Sequence, residues 1–310
     1  MNQRTRMGGG AGGVVAAGTS ARRRFDDGEP TDAEVREIAE ILHRAAGICL
    51  PPDKKHLVHT RLRRHLVEQG HESYAAYAKS VREDSSGDGL ATLVDALTTN
   101  ETRFFREMVH FDFLREEILA HARDPVKIWS AACSTGQEPY SLAMQALEFP
   151  PAAGAGAVQI LATDVDRGVL EIARAGRYRQ DAIDRGPRKI LRHMRKVGEG
   201  RELRYEIARS ARSLVHFARL NLMGKWPMRG PLDLILCRNV MIYFDAPTQA
   251  WLAWRMASLL RPGGHLFIGH SESLGLSAHG LETVQPAIYR RTEEPLPPPP
   301  RRPERIGTPR

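Results

Sequence analysis

The chain has 310 residues, of which 42% are hydrophobic, enough for one large domain or two modest domains with buried cores. Its formal net charge of +8 comes from its two ends, because residues 1–25 contain five arginines and no acid, and residues 295–310 contain four arginines and one acid. The body between them is near neutral. This argues against an enzyme of nucleic acids, which would be expected to carry a basic patch on its folded body.

The first 29 residues are rich in Gly, Ala and Arg and are predicted to form a disordered arm. Arg22, Arg23 and Arg24 resemble a twin-arginine export signal, but acids follow them where an apolar stretch would be needed. The three cysteines show no metal-ligand spacing, and the histidines form no metal motif, so no metal site is predicted. No apolar run approaches the ~18 residues of a membrane span, and a cytoplasmic protein without membrane insertion is expected.

Residues 30–98 are predicted to form a small all-helical domain. Thr31 and Glu34 have the spacing of a capping box, and apolar residues then recur at helical spacing as far as Gly47. Further helices are predicted at about residues 53–68, 73–82 and 89–97. The second helix carries basic residues on one side, which are either an ordinary solvated face or, for one or two of them, a contact with an acidic partner.

From residue 126 onward, four apolar strand-like segments each run into polar or small residues. The segments and the residues that follow them are 126–129 with SAACSTGQEPYS, 160–162 with TDVD, 232–236 with CRNVMIYF, and 265–268 with GHSES. Helical patterns separate them, which predicts a mainly parallel sheet with helices on both faces. Right-handed crossovers bring the polar ends to one edge, where such sheets bind ligands.

The residues at this edge indicate which ligand it binds. A loop of small residues around Gly136 would let a ligand approach the backbone, and Asp164 ends the second strand where an acid typically binds ribose hydroxyls. Glu138 lies where a pyrophosphate would sit and would repel it. The pattern therefore disfavours NAD and favours S-adenosylmethionine, a nucleoside with an amino-acid tail and no phosphate.

Residues 178–217 interrupt the strand–helix alternation. A short helix near Ile190, a turn at residues 196–200 and a strand at residues 203–207 are predicted there, and residues 215–220 form the next strand. Taken by itself the insert is either a surface hairpin or a binding element.

Six motifs in chain order carry a family resemblance: TTNETRFFRE from Thr98, SAACSTGQEPYS, ATDVD, Asn221-Leu222, CRNVMIYF, and LRPGG followed by a strand and HSESL. Together they resemble the CheR family of chemotaxis receptor methyltransferases, over residues from about 35 to 289. The resemblance implies an S-adenosylmethionine-dependent protein-glutamate O-methyltransferase. It also implies a Rossmann-like sheet at residues 99–294 with an inserted small β-subdomain at about 178–217, and a preceding all-α domain. Independently of the resemblance, the Pro run of residues 295–310 predicts a loose or polyproline tail rich in Pro and Arg.

The resemblance also implies the site residues. Those expected to bind the cofactor are Asn100, Thr102, Arg106, Glu138, Asp164, Asn221, Leu222, Asn239 and Val240. Glu138 would receive either the amino group of the methionine moiety or a hydroxyl, and the sequence leaves both open. Cys133 and Gln137 depart from the commonest family loop without replacing Glu138.

Two residues are predicted to be catalytic. A glutamate substrate is already ionised near neutral pH and needs no general base, but a dry site would raise its pKa. Arg106 could offset that effect with a charge-assisted hydrogen bond, and Tyr243 could line the methyl path. The alternatives are a surface arginine and a packed core tyrosine. Arg61 is predicted to bind substrate, because receptor methylation sites in this family lie on Glu-rich helices.

The expected partners are cytoplasmic helices of methyl-accepting chemotaxis receptors and, as in some family members, a receptor C-terminal peptide at the β-subdomain. A monomer is expected, with both tails dispensable for chemistry. Two rivals are a nucleic-acid methyltransferase and a non-catalytic S-adenosylmethionine-binding signalling module. A methyltransferase that modifies amino groups of nucleic acids needs a polar-Pro-Pro-aromatic clamp at the end of the fourth strand. This chain has Arg238-Asn239-Val240-Met241 there, without proline, which argues against the first rival.

Overall fold

The computed structural model describes residues 28–152, 154–275 and 280–303, excluding the side chain of residue 155. Most of the predicted arm, residues 1–27, and the last seven residues of the predicted tail, 304–310, lie outside the described residues. Residues 295–303 of that tail lie against the body of the protein, where a loose or polyproline segment was expected. No helix within the described ranges is long and apolar enough to cross a bilayer.

Four helices form the N-terminal unit: α1 (Asp32–Ala46), α2 (Lys55–Gln69), α3 (Tyr74–Glu83) and α4 (Asp88–Leu97). The predicted capping box begins α1, because the Glu34 amide donates to the Thr31 hydroxyl over 3.3 Å and the Thr31 amide donates to the Glu34 carboxylate over 2.9 Å. Such a cap stabilises a helix by about 1 kcal/mol. Gly47 ends α1 with a φ of 73°, and a Cβ there would lie 2.8 Å from Cγ of Met223.

The remaining elements form a large sheet, its helices and a small sheet. The helices are α5 (Met108–Phe113), which continues as a π-helix at Leu114–Leu119, then α6 (Gln137–Glu148), α7 (Arg167–Ala175), α8 (Gln180–Asp184), α9 (Arg209–Arg212) and α10 (Ala246–Leu259). The strands are β1 (Val126–Ala131), β2 (Val158–Asp164), β3 (Arg177–Tyr178), β4 (Met194–Val197), β5 (Arg204–Ile207), β6 (Val215–Arg219), β7 (Leu232–Leu236), β8 (Leu260–Phe267), β9 (Leu281–Gln285) and β10 (Ile288–Arg291). Short 3₁₀ turns occupy Ala155–Ala157, Arg188–His193, Gly200–Glu202 and Met241–Tyr243.

The large sheet has seven strands in the order β6-β2-β1-β7-β8-β10-β9. Its first five strands are parallel, and β10 and β9 pair antiparallel at one end. The predicted α/β class, with a parallel sheet and a preceding all-α unit, is confirmed. The predicted strands at residues 126–129, 160–162 and 232–236 lie within β1, β2 and β7.

The insert folds as a three-stranded antiparallel sheet in the order β3-β5-β4. Strand β6 then returns to the large sheet, so residues 215–217, which were assigned to the insert, belong to the Rossmann-like sheet instead. The predicted turn at residues 196–200 contains the end of β4. This short strand had no visible alternation because its four residues are exposed or only half-buried.

Three apolar clusters hold these parts together. One face of the large sheet packs through Ile128 and Leu236 against α5, α6 and the small sheet, and the other packs through Trp129 and Ile235 against α10. The helical unit has its own core. Ile48, directly after α1, packs against both the α10 side of the sheet and the helical core, so it joins the two parts of the molecule.

Candidate functional site

A deep cleft opens at the carboxyl edge of the parallel strands, between the large sheet and the helical unit. Its volume, counted to its open mouth, is about 1030 Å³. All nine predicted cofactor-binding residues and Tyr243 line it: Asn100, Thr102, Arg106, Glu138, Asp164, Asn221, Leu222, Asn239, Val240 and Tyr243. The helical unit contributes Ala46, Ile48 and Leu97 to its wall.

Asp164 ends β2 as a buried carboxylate whose two oxygens accept backbone hydrogen bonds. The Ser134 amide donates to Oδ2 over 2.8 Å and the Asp166 amide donates to Oδ1 over 3.0 Å. Burial raises the pKa of the Asp164 carboxyl, while these two amides favour its ionised form. Each carboxylate oxygen can accept more than one hydrogen bond, so the group can still receive ligand hydroxyls.

Gly136 has a different role from the one predicted. It adopts a φ of 93°, and a Cβ at this position would lie 2.9 Å from Cβ of Ala173 and 3.0 Å from the Tyr178 hydroxyl. The glycine therefore allows close packing of the loop against α7, whereas Ala132, Cys133 and Ser134 of the same loop line the cleft.

Glu138, at the start of α6, points its carboxylate to the floor of the cleft. The Ser130 hydroxyl donates to Oε1 over 2.7 Å, and the Arg238 guanidinium donates to Oε2 over 2.9 Å. The negative charge is thus paired on one side and lines the cleft on the other. This arrangement is unsuitable for a phosphate and suits a hydroxyl or an amino group of a ligand.

Arg238 links two acids from distant segments. Its guanidinium donates to Glu138 Oε2 and to Glu107 Oε2, each over 2.9 Å, and to the carbonyl oxygen of Arg106. Burial alone would raise the pKa of the Glu107 carboxyl, but Arg238 and the Asn239 amide outweigh burial, and the pKa is lowered. Glu107 is therefore held as an anion.

Backbone strain is concentrated around this cleft. Six non-glycine residues of the described ranges have left-handed φ values, and five of them lie in the loops at the cleft: Phe105, Glu107, Ala132, Ser134 and Asn239. Left-handed torsions at such residues cost on the order of 1 kcal/mol or more each. They are held by specific contacts, such as the Phe105 amide donating to the Ser141 hydroxyl over 2.9 Å.

Arg106 lies between two of these strained residues and reaches the cleft. Its Nη1 donates to the Glu101 carbonyl over 2.9 Å, and its Nε lies 4.0 Å from Glu107 Oε1. Its side chain is 30% exposed, so part of the guanidinium faces the open space. A partly exposed cation on the wall of the cleft can bind an incoming carboxylate.

The three predicted asparagines are already engaged in shaping the cleft. Asn100 donates to Asp166 Oδ2 over 2.8 Å, Asn221 donates to the Ala45 carbonyl over 2.6 Å, and Asn239 donates to Glu107 Oε1 over 3.3 Å. Asn221 thereby ties the loop after β6 to the end of α1. Whether these amides also contact a cofactor stays a prediction.

Arg61 is not at the cleft, and its guanidinium has partners other than those expected for a substrate-binding residue. Nη1 donates to the carbonyls of Leu97 and Thr98, each over 2.9 Å, and Nη2 donates to the Thr99 hydroxyl over 3.1 Å. The side chain holds the segment that leads from α4 into the cleft. Its neighbours Lys55 and Arg64 pair with Asp32 and Glu68, as in an ordinary solvated face.

Two residues that shape the site were quoted in sequence motifs but given no role there. Arg238 is one, and Glu272 is the other. Glu272 Oε2 accepts a hydrogen bond from the backbone amide of Asn239 over 2.8 Å, and Oε1 accepts one from the backbone amide of Ile242 over 3.2 Å. These two bonds hold the loop after β7. Acids and arginines at the ends of adjacent core strands were the available signal, since such charges persist in a core only when paired.

The sequence predicted no metal site, but folding brings two groups of potential ligands within 4.8 Å of one another. These are His43, Cys49 and Asp245, and Glu107, His110 and His270. In the second group Glu107 Oε2 already pairs with Arg238, and burial lowers the pKa of His110 to about 3, so its ring is neutral.

Comparison with known proteins gives consistent matches. Residues 33–98 match the family described as CheR methyltransferase, all-alpha domain, and residues 100–289 match CheR methyltransferase, SAM binding domain. The probable chemotaxis protein methyltransferase of Rhizobium etli is 38% identical over 264 residues, covering 83% of this chain and 98% of that protein. Chemotaxis protein methyltransferase 2 of Pseudomonas aeruginosa is 39% identical over 269 residues, covering 84% of this chain and 93% of that protein.

Among solved structures, the TehB-like SAM-dependent methyltransferase of Corynebacterium glutamicum matches with a TM-score of 0.33 and 14% identity, over 55% of this chain and 79% of that chain. The cleft itself fits S-adenosylmethionine, the cofactor of the matched SAM binding domain. It offers a buried carboxylate at the end of β2, an apolar wall that includes Leu222 and Val240, and a polar end at Glu138, whose negative charge disfavours a phosphate.

Proposed function

Since this chain belongs to the CheR methyltransferase family and binds S-adenosylmethionine, we propose that it methylates glutamate side chains of chemoreceptors. The products are a glutamate methyl ester and S-adenosylhomocysteine. The receptor substrate is supported by the names of the relatives, which are chemotaxis protein methyltransferases. The proposed output is adaptation in chemotaxis or in a related chemosensory pathway.

The observation that carries the proposal is the position of Arg106. It is a partly exposed cation of a cleft that Arg103 also lines. Of the acids that line this cleft, Glu138 is paired with Arg238 and Asp164 accepts two backbone amides. A carboxylate substrate is attracted to such a cation, whereas an amine substrate is repelled by it. A nitrogen-methylating enzyme would need the opposite arrangement.

The site has no need of a general base. A glutamate side chain titrates near 4.3 in water, so it arrives at the site already ionised. When bound, S-adenosylmethionine supplies an activated methyl group on its sulfonium. The chain's own residues orient the carboxylate and exclude water from it.

Arg106 would offset the cost of this desolvation. Removing water from a carboxylate raises its pKa, and a charge-assisted hydrogen bond from a guanidinium favours the anion. The carbonyl of Glu101 and the carboxylate of Glu107 hold the Arg106 side chain in place. Tyr243, which also lines the cleft, is the proposed second contact at the methyl path.

A second contact with the receptor is proposed at the small sheet. Strands β3 and β4 each pair only with β5, so both edges of this sheet are open within the described residues. An extended receptor peptide could add a strand to such an edge. In this proposal the peptide tethers the enzyme and the Arg106 cleft performs the transfer.

The deciding experiment is methyl transfer to a purified receptor cytoplasmic fragment. The full chain is incubated with methyl-labelled S-adenosylmethionine, and the labelled fragment is treated with mild alkali. We expect incorporation that alkali releases as methanol and that is lost when the receptor glutamates are replaced by alanine. Alkali-stable label would indicate nitrogen methylation and would refute the proposal.

Absence of transfer despite tight cofactor binding would favour a non-catalytic signalling module. This outcome is meaningful only if product binding is measured on the same preparation. Calorimetric binding of S-adenosylhomocysteine provides that control. A panel of several receptor fragments prevents a wrong choice of receptor from being mistaken for lack of activity.

A further inference from the structure

Residues 295–303 cross the outer surface of α10 and end at the loop after β6. The Trp254 indole donates to the Pro297 carbonyl over 2.8 Å, and Arg302 Nη2 donates to the Met223 carbonyl over 3.0 Å. The Arg302 guanidinium also lies 5.3 Å from the centre of the Trp251 ring. We call residues 295–303 the C-terminal strap.

The loop that the strap reaches, residues 221–224, is held by a second arginine. Arg255 donates to the Leu222 carbonyl over 2.9 Å and to the Gly224 carbonyl over 3.2 Å. Its guanidinium lies between the rings of Trp226 and Trp251, at 3.6 and 4.4 Å from their centres. Three consecutive carbonyls, at positions 222 to 224, are thus bound by two arginines.

This loop is part of the cofactor cleft. Asn221 and Leu222 line the cleft directly. Met223 fills the space over Gly47, where even one added carbon would lie 2.8 Å from its Cγ. A shift of the backbone at residues 221–224 would therefore move two lining residues and the contact with the helical unit together.

The two guanidinium groups carry like charges, and bringing them together is unfavourable by itself. Three backbone carbonyls and the faces of two tryptophans surround them and offset this repulsion, because both carry partial negative charge toward the cations. Such an arrangement binds one backbone conformation of the loop, since the carbonyls must point outward to reach the arginines.

We propose that the C-terminal strap positions the cofactor-binding loop. The positioning residues are Arg302 of the strap and Arg255 of α10. The match to the CheR family ends at residue 289, so the strap lies outside the matched region. The proposal rests on cofactor binding and not on the identity of the methylated substrate. A failure of receptor methylation would leave it intact.

The first test compares three lengths of the chain: the full chain, a chain ending at Pro303 and a chain ending at Glu294. The Kd of S-adenosylhomocysteine is measured by calorimetry. The chain ending at Glu294 loses the Arg302 hydrogen bond to the loop, and also the Trp254 hydrogen bond and the Trp251 cation–π contact that hold the strap on α10. This loss should weaken binding about tenfold. The chain ending at Pro303 keeps the strap and should bind within twofold of the full chain.

The second test uses single substitutions in the full chain. Trp254→Phe removes the indole donor to Pro297 and keeps a ring, and Arg302→Ala removes the contact with Met223. Each should weaken product binding about threefold. The KM for S-adenosylmethionine should rise with little change in kcat. The matched control is Arg290→Ala, which removes an exposed arginine whose partner is Glu282 on the neighbouring strand.

Hydrogen exchange separates positioning from general stability. Amides of residues 220–228 should exchange faster in Arg302→Ala, while those of β1 and α6 should be unchanged. Equal product affinity in the full chain and in the chain ending at Glu294 would overturn the proposal. So would loss of affinity accompanied by faster exchange throughout the sheet, because the strap would then be a general stabilising element.

Discussion

Arg238 explains how loops from distant parts of the chain meet at one cleft. It binds Glu107, Glu138 and the Arg106 carbonyl, and its side chain is only 2% exposed. Removing one partner of such a buried ion pair costs about 3–5 kcal/mol, because the remaining charges lose their compensation. The position of Arg106 therefore depends on a residue that need not touch the substrate.

Asp164 provides the first prediction at the scale of single residues. Asp164→Asn should weaken S-adenosylhomocysteine binding about tenfold to a hundredfold, the range expected when a hydrogen bond to a charged group of 1.5–3 kcal/mol is lost. Calorimetry measures the affinity, and circular dichroism confirms the fold. The matched control is Asp233→Asn, since Asp233 also accepts a backbone amide, that of Lys127, but lies outside the cleft.

Unchanged affinity in a folded Asp164→Asn variant would show that the ribose assignment is wrong. Asp164 would have a purely structural role if Asp164→Asn lowered thermal stability as much as Asp233→Asn does and still bound S-adenosylhomocysteine normally. That role would be the one already visible, in which it binds the amides of Ser134 and Asp166.

Arg106 provides the second prediction, which separates catalysis from binding. Arg106→Ala should lower single-turnover methylation roughly a hundredfold, as loss of a positioned electrostatic contact does, with a much smaller change in product affinity. Arg106→Lys should recover little, because an ammonium cannot reproduce the planar two-donor guanidinium. The control is Arg123→Ala, an exposed arginine outside the cleft. Methylation within a few-fold of the parent rate would make Arg106 a surface residue and Tyr243 the next candidate.

Residue chemistry was more predictable from sequence than residue partners. Asp164 and Glu138 were expected at the sheet edge because they follow apolar strands there, and Arg106 was expected at the site from the TTNETRFFRE motif and the family resemblance. Arg61 was expected to bind an acidic substrate, which stays a prediction, but its contacts with the carbonyls of Leu97 and Thr98 were not foreseen. Those carbonyls lie 36 and 37 residues away, and helical periodicity contains no information on such contacts.

At the scale of elements, α5 contains a buried histidine whose ionisation should destabilise the fold. His110 is 1% exposed and stacks on Phe267 with ring centres 5.0 Å apart. Among the described residues neither ring nitrogen has a hydrogen-bond partner, although Nδ1 lies 3.5 Å from Glu107 Oε2. Burial, with a smaller contribution from Arg238, lowers its pKa from 6.5 to about 3. The unfolded chain therefore binds this proton more readily than the folded chain does.

The third prediction follows from the sign of that shift. Stability rises with pH wherever the unfolded state binds more protons, so the contribution of His110 is lost as pH falls below about 6.5. Between pH 7.5 and pH 5, His110 should account for about 2 kcal/mol of lost unfolding free energy. Between these two pH values, the unfolding free energy of His110→Phe should fall by about 2 kcal/mol less than that of the parent protein. Urea denaturation at each pH measures this difference. Equal losses would show that His110 titrates normally in the folded protein.

Buried strands were predicted better than short or exposed ones, for a physical reason. Strands β1, β2 and β7 are buried on both faces of the sheet and therefore appear in the sequence as continuous apolar runs. Strands β3 and β4 have only two and four residues, and β9 is largely exposed. None of these strands therefore has a distinctive sequence pattern. Their positions are set by pairing with β5 and β10, which only the folded chain reveals.

At the scale of the whole molecule, the cofactor cleft is also the junction between the helical unit and the large sheet. The Asn221 amide donates to the Ala45 carbonyl over 2.6 Å, and the Cys49 amide donates to the Tyr243 carbonyl over 2.8 Å. Ile48 lines the cleft and packs on both cores. A ligand that fills the cleft should therefore stabilise both parts of the molecule at once.

The fourth prediction tests this coupling by hydrogen exchange. S-adenosylhomocysteine should slow exchange at the last turn of α1 as well as in the loops after β1 and β2. Ile48→Ala should reduce the effect on α1 and weaken binding about fivefold, since truncating a half-buried isoleucine costs about 1 kcal/mol. The control is Val67→Ala on α2, where the side chain is 54% exposed and no comparable burial is lost. If product slows exchange only within the sheet and Ile48→Ala binds it normally, the helical unit is not part of the cofactor site. Its contribution would then be confined to recognition of the receptor.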